Sequence, residues 1–124
     1  MQLRNRFDTV TEGIGLGRLT KNFALALPYI DDAIRVTDNQ SVAMSRILLR
    51  EEGLFLGSSA AVNCVAAVRV ARSLGPGHVV VTVLCDGGQR HLTKFHSDAY
   101  LEKLGLLPRP ATLTLDALFS ARGD

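Results

Sequence analysis

Cysteine is scarce in this chain. Cys64 and Cys85 are its two thiols, they lie far apart in sequence, and neither belongs to a C-x-x-C pair. That pattern excludes the disulfide framework of a small secreted domain and reads as reduced thiols in an intracellular protein. Aromatics make up 6% of the residues, and fourteen basic against twelve acidic side chains leave a formal charge of +2 with no run of either sign. Nothing in that balance indicates nucleic acid as a partner. Long apolar runs are lacking as well. Met1 to Thr9 carries Arg4 and Arg6 with no apolar stretch, which does not read as a secretory signal. The longest weakly polar run, Leu54 to Val68, contains Asn63 and falls short of the roughly 18 residues a membrane span needs, so no span is expected. Internal repeats and low-complexity segments are also missing.

What is present suits one globular core of modest size: 124 residues, 47% hydrophobic and 21% charged. Ala33 to Val36 reads as a short strand. Thr37 and Gln40 then have the spacing of a capping box, with Asp38 as a second candidate cap, and predict a helix ending at Gly53. Its apolar stripe is Ala43, Met44, Ile47 and Leu48, with Arg46 and Arg50 turned outward. Leu54 to Leu56 reads as a brief buried strand. Ser58 and Ser59 can cap a second, deeply packed helix to Leu74, with Arg69 and Arg72 marking an exposed strip. Gly75-Pro76-Gly77 breaks it, and the β-branched run Val79 to Leu84 predicts a parallel strand covered on both faces. A last helix is expected over Asp98 to Leu104, capped by Ser97 or Asp98 and ending near Gly105. Alternating strands and helices imply α/β architecture, a partial three-layer parallel sheet with covering helices.

In open parallel sheets, ligands bind beyond the carboxyl ends of the strands, which selects Cys85-Asp86-Gly87-Gly88-Gln89-Arg90. Two adjacent glycines let the backbone approach a flat ligand; a tight turn with glycine at positive φ explains them equally well. Gly13-Ile14-Gly15-Leu16-Gly17 fails the dinucleotide fingerprint, because position 18 is Arg18. It reads either as a glycine-rich turn beside an active site or as a surface loop. Gly57-Ser58-Ser59 could hold an anion at a helix start or simply cap the helix. Cys85, Asp86, His91 and His96 match no standard zinc or iron spacing, and Ser58 and Ser59 lie in no nucleophile elbow.

Taken in order, EGIGLGRLTKNF, the Asp31-Asp32-Ala33 entry to a strand, EEGLFLGSSAAVN, ARSLGPGHVVVTVLCD and GGQRHLTKF resemble the closing portion of cysteine synthases and cystathionine β-synthases, from Phe7 to Pro108. LFLGSS with LCD is similar to the fungal cysteine-synthase-like branch. The resemblance implies the carboxy-terminal portion of a fold type II, tryptophan synthase β-like enzyme, with a lead-in over residues 1–9, the enzyme portion over 10–108 and a tail of uncertain order over 109–124. It implies pyridoxal phosphate as cofactor, with β-elimination or β-replacement on serine or O-acetylserine in cysteine metabolism. The cofactor supplies the electron sink, and the protein supplies an imine-forming lysine, a phosphate cradle and a partner for the ring nitrogen. Gly13, Ile14 and Gly15 would line the cofactor and substrate pocket, and Asp86 and Gly87 would face the pyridine nitrogen.

Two departures qualify that picture. Neither the family's lysine context nor its phosphate cradle has a matching position, since Lys21, Lys94 and Lys103 are the three lysines and none stands in that context. The cofactor is therefore not expected to bond covalently to this chain, no catalytic residue is assigned, and a missing amino-terminal half or self-association is the expected partnership. Gly87 also replaces the serine whose hydroxyl bonds the ring nitrogen in the family, a neutral bond worth about 0.5–1.5 kcal/mol that water can replace. The first expectation is a cysteine synthase-like portion competent only with its other half, cytoplasmic or mitochondria-associated. The alternative is a non-catalytic interaction or regulatory module that kept the fold, and a nucleotide-binding domain at Gly13 to Gly17 is the third reading. A half-sheet cut from its neighbours would leave an open strand edge and apolar helix faces, which predicts self-association.

Overall fold

The computed structural model describes residues 9–14 and 19–120. Gly15, most of the lead-in and residues 121–124 of the tail lie outside the described residues.

Two long helices carry the core. Helix α2 (Asp38–Glu52) follows a short first helix α1 (Lys21–Ala26) and begins with the capping box read from sequence: the Thr37 hydroxyl accepts from Gln40 N–H, and the Gln40 side chain accepts from Thr37 N–H at 3.0 Å. It ends at Gly53, which adopts the left-handed conformation at φ 68° that a residue with a Cβ resists. Helix α3 (Ser58–Leu74) runs to Gly75 and packs against α2. Ala43, Met44 and Ile47 of α2 meet Val65 of α3 and Leu118 of α5 (Leu115–Ser120), with Leu48, Cys64 and Val68 partly buried around them. Val42, Ala61, Phe95 and Leu101 form the second cluster, the last from α4 (Asp98–Lys103). Ser97 is the cap of α4, accepting from Tyr100 N–H at 3.3 Å, while Asp98 sits in its first turn.

The expected parallel sheet is not formed among the described residues. Ala33–Val36 and Val79–Leu84 make no strand, and Leu56 makes a single antiparallel bridge to Gly87. The reason is pairing: a β-branched run favours an extended backbone, but a strand exists only where another backbone takes its N–H and C=O groups. Val79 and Val81 are 90% and 85% exposed, the opposite of a strand covered on both faces.

Three side-chain expectations are also corrected. Arg46 is not turned outward; its side chain is 17% exposed because its guanidinium bonds His96 and Asp98. Ser58 and Ser59 do not cap α3, whose N-cap is Gly57 with no side-chain bond; Ser58 is instead buried inside the first turn. Helix α3 is deeply packed only in its first half, through Ser58, Ala60, Ala61 and Val65, since beyond Val65 its residues are half-buried or exposed.

Helix α1 had no periodic signal. Thr20 caps it by accepting from Phe23 N–H, and Pro28 turns it into a 3-10 segment, Leu27–Tyr29. Its apolar side chains Phe23 and Leu25 are exposed. Leu118, beyond the region matched by motif, fills the first cluster.

Candidate functional site

Two loops meet where the bridge joins Leu56 to Gly87. Gly57 N–H donates to the Asp86 carbonyl at 2.9 Å, and Gly88 N–H donates to the Phe55 carbonyl at 3.0 Å, which fixes the DGG loop against the start of α3. Neither Gly87 nor Gly88 has a positive φ, so the tight-turn explanation of these glycines fails. Their role is close approach. A Cβ on Gly88 would stand 2.6 Å from the Phe55 ring and 2.8 Å from His96 Nε2, and one on Gly87 would meet the Gln89 side-chain oxygen at 2.1 Å. Gly88 then opens a 3-10 turn, Gly88–His91, that swings His91 back under the loop.

The Glu12–Ile14 loop arrives from the other side. Gly13 takes φ 82°, and Glu12 N–H donates to the buried Ser58 hydroxyl at 3.0 Å, the true use of the serine expected to be a cap. Thr9 and Val10 anchor the approach on the Asp38 carboxylate, with Val10 N–H donating at 3.1 Å. Between the loops lies a cavity of about 520 Å³ lined by Glu12, Gly13, Ser59, Cys85, Asp86, Arg90 and His91. Of the residues expected to form the site, Gly13 and Asp86 line this cavity, whereas Gly87, the neighbour of Asp86 in the chain, does not. Ile14 is next to Gly13 and 47% exposed.

A chain of polar contacts runs along the cavity wall from Asp86 through His91 to Glu12 and on to Lys94 behind it. Asp86 Oδ2 lies 2.8 Å from His91 Nε2, His91 Nδ1 lies 3.7 Å from Glu12 Oε2, and Lys94 Nζ donates to Glu12 Oε1 at 3.0 Å. The bond from Lys94 holds the Glu12 carboxyl below the usual carboxylate range, and the reciprocal bond raises Lys94 above the usual lysine. Asp86 Oδ1 is buried with no hydrogen-bond partner. A buried carboxylate oxygen without a donor is costly, and here it is packed against Gly57 in the space a Cβ would take.

His96 is arranged differently. Arg46 can only donate, so the 2.6 Å contact makes His96 Nδ1 the acceptor and leaves the ring proton on Nε2, which donates to the Leu56 carbonyl at 2.7 Å. Burial, more than any charge, pushes His96 below the usual histidine range. Among the described residues no group of three or more His, Cys, Asp or Glu side chains is placed to hold a metal ion. Glu12 and Lys94 carry no site signal of their own in the sequence, and His91 enters it only within a metal set whose spacing fits no standard pattern. Glu12 and His91 are 79 positions apart, and no periodicity connects them; adjacency to a glycine-rich motif was the one available signal for Glu12.

The cavity suits the ring face of a flat, polar cofactor such as pyridoxal phosphate. Its volume falls in the range of small-molecule sites, Gly13 leaves one wall bare, and the Asp86 carboxylate lies in its lining.

Comparison with known proteins bears on which cofactor that is. Residues 2–86 match the model of the family described as pyridoxal-phosphate dependent enzyme. The chain is 55% identical over 111 residues to cysteine synthase 2 of Schizosaccharomyces pombe, covering 89% of this chain and 28% of that protein. It is 49% identical over 96 residues to the putative mitochondrial cysteine synthase of Saccharomyces cerevisiae, covering 77% of this chain and 24% of the relative. With cystathionine beta-synthase of Apis mellifera the identity is 37% over 78 residues, 63% of this chain and 16% of the relative. The chain thus spans about a quarter of the length of the fungal cysteine synthases it matches. With the match covering most of its residues, this chain belongs to the family of pyridoxal-phosphate dependent enzymes, among its cysteine synthase-like members.

Proposed function

We infer that this chain forms one wall of the cofactor and substrate site of a cysteine synthase-like enzyme acting on serine or O-acetylserine by β-elimination or β-replacement. The observation that carries this reading is the convergence of the Glu12–Ile14 and Asp86–Gly88 loops on one cavity, which Glu12, Gly13 and Asp86 line. Asp86 and Gly87 would face the ring nitrogen, and Gly13, Ile14 and Gly15 would line the substrate side. When bound, pyridoxal phosphate supplies an electron sink for the α-carbon of an amino acid. The chain's part is to orient the ring and keep water from one face.

The imine-forming amine and the phosphate cradle are proposed to come from outside these 124 residues. Lys94, the lysine at the end of the contact chain along the cavity, supports this, because it is held by Glu12 and kept protonated, and an ammonium is not a nucleophile. Exposed Val79, Val81 and Val83 support a sheet completed by a partner backbone, either an amino-terminal half or a second copy. The same exposed apolar run supports the expected self-association. A cytoplasmic or mitochondria-associated location is proposed, the latter from the printed name of the Saccharomyces cerevisiae relative. No helix among the described residues is long and apolar enough to cross a membrane.

The test is turnover. Purified chain is incubated with pyridoxal phosphate, O-acetylserine and sulfide, alone and with a separately produced amino-terminal part of a matching cysteine synthase, and cysteine is quantified. Cysteine in the mixture alone is expected; cysteine from the chain alone contradicts the reading. One feature favours a second reading, a non-catalytic interaction or regulatory module: Gly87 offers no hydroxyl to a ring nitrogen. A stable complex with the amino-terminal part that yields no cysteine selects it.

A further inference from the structure

The chain of contacts along the cavity wall has a geometry that ion pairing alone does not require. His91 is 8% exposed and ends the 3-10 turn that leaves the Asp86–Gly88 loop; its Nε2 lies 2.8 Å from the Asp86 carboxylate and its Nδ1 faces the Glu12 carboxylate of the other loop at 3.7 Å, longer than a hydrogen bond. We propose that His91 is a positioning residue that couples the Glu12–Ile14 loop to the Asp86–Gly88 loop, so that the two walls of the cavity keep one separation. The functional weight of this coupling rests on the reading of the cavity given above; the coupling itself does not.

Each link is fixed from behind. On one side, Asp86 Oδ1 has no partner, so the 2.8 Å bond from Asp86 Oδ2 to His91 Nε2 sets the carboxylate's orientation. The main chain of the same residue accepts from Gly57 N–H, and the carboxylate sits in the space that the missing Cβ of Gly57 leaves. On the other side, Glu12 is held at its main chain by Ser58 and at Oε1 by Lys94, which leaves Oε2 facing His91 Nδ1. The ring itself cannot turn freely, because its edge packs on the buried Phe95 ring at 6.4 Å and 73°. The buried His91 ring and its 2.8 Å bond to Asp86 are the rigid part of this link, while the half-exposed Glu12 carboxylate is held toward the ring by Ser58 and Lys94.

The experiment is residue-resolved amide hydrogen exchange on the full 124-residue chain without cofactor. Three amides report: Glu12 N–H, bonded to Ser58, and Gly57 and Gly88 N–H, bonded across the bridge. His91→Ala is expected to accelerate exchange at all three by about tenfold, the effect of losing one charge-assisted bond, while Ala61 to Val65 in α3 stay protected. His91→Gln places an amide donor near the former Nε2, so protection returns at Gly57 and Gly88 but not at Glu12. Acceleration confined to residues 89–95, or no change at Glu12 in either variant, overturns the proposal. Should His91→Ala loosen α3 as well, His91→Gln decides: a fast Glu12 beside a protected α3 supports the coupling, and wild-type exchange at Glu12 overturns it. No cofactor enters this readout, so a chain that never binds pyridoxal phosphate removes the functional reading without touching the coupling.

Discussion

Replacing Gly57 by alanine probes the site at its tightest point. The backbone there, φ −74° and ψ 174°, suits any residue, so alanine pays no conformational penalty. The penalty is steric: the new Cβ would stand 2.0 Å from Asp86 Oδ1 and 2.8 Å from both Asp86 Cγ and His91 Nε2. The main chain cannot retreat cheaply, because Gly57 N–H bonds the Asp86 carbonyl and its carbonyl accepts from Ala61 N–H at 3.2 Å. The Asp86 side chain must therefore rotate and give up its bond to His91. Overpacking costs about 1–3 kcal/mol, and a hydrogen bond to a charged group contributes about 1.5–3 kcal/mol. Rotation relieves the first at the expense of the second, so the expected loss is about 2 kcal/mol rather than their sum. For a chain of this size that lowers the melting temperature by about 8 °C. Urea denaturation of wild type, Gly57→Ala, Asp86→Ala and the double variant forms a thermodynamic cycle. In the Asp86→Ala background Gly57→Ala should cost about half as much or less, because the nearest obstruction is gone and only His91 Nε2 at 2.8 Å remains to give way. Equal costs in the two backgrounds would refute the steric reasoning.

Other outcomes follow from neighbouring groups. Because His96 titrates below its unfolded value of 6.5, the stability contributed by its neutral form is complete above pH 6.5 and is lost as pH falls through the folded value. The urea midpoint should drop on acidification below that point, and His96→Gln should flatten the drop; an unchanged slope contradicts the assignment. Cys64 is partly buried and its thiol is pushed up by burial and then by Cys85, which is exposed. The first equivalent of a thiol reagent should label Cys85, read by peptide mass, and preferential labelling of Cys64 would count against the packing described. Gly87→Ser requires only that the flexible Gln89 side chain move aside. In the complex with an amino-terminal part it should tighten pyridoxal phosphate binding by about three- to tenfold, measured by fluorescence titration, and weaker binding would argue that Gly87 does not face the ring.

The parts legible in sequence are those governed by local chemistry. Thr37 with Gln40, and Gly53 in the left-handed region, set both ends of α2 because caps depend on neighbours along the chain. Gly75-Pro76-Gly77 ended α3 for the same reason. Features that depend on distant partners were not legible. Val79 to Leu84 has the composition of a buried strand, but composition cannot supply the second backbone, and among the described residues none pairs with it. Arg46 looked solvent-facing because charge usually is; a histidine fifty positions later draws it inward. The site divides along the same line. Gly13, Asp86 and Gly87 carried recognisable motifs, whereas Glu12 and His91 acquire their roles from a contact that no spacing rule encodes.

The most direct measurement is the visible absorption spectrum of pyridoxal phosphate with this chain, alone and together with the amino-terminal part. The spectrum of free cofactor should persist with the chain alone and change to that of bound cofactor in the mixture. A bound-cofactor band from the chain alone, abolished by changing Lys21, Lys94 or Lys103, would contradict the account.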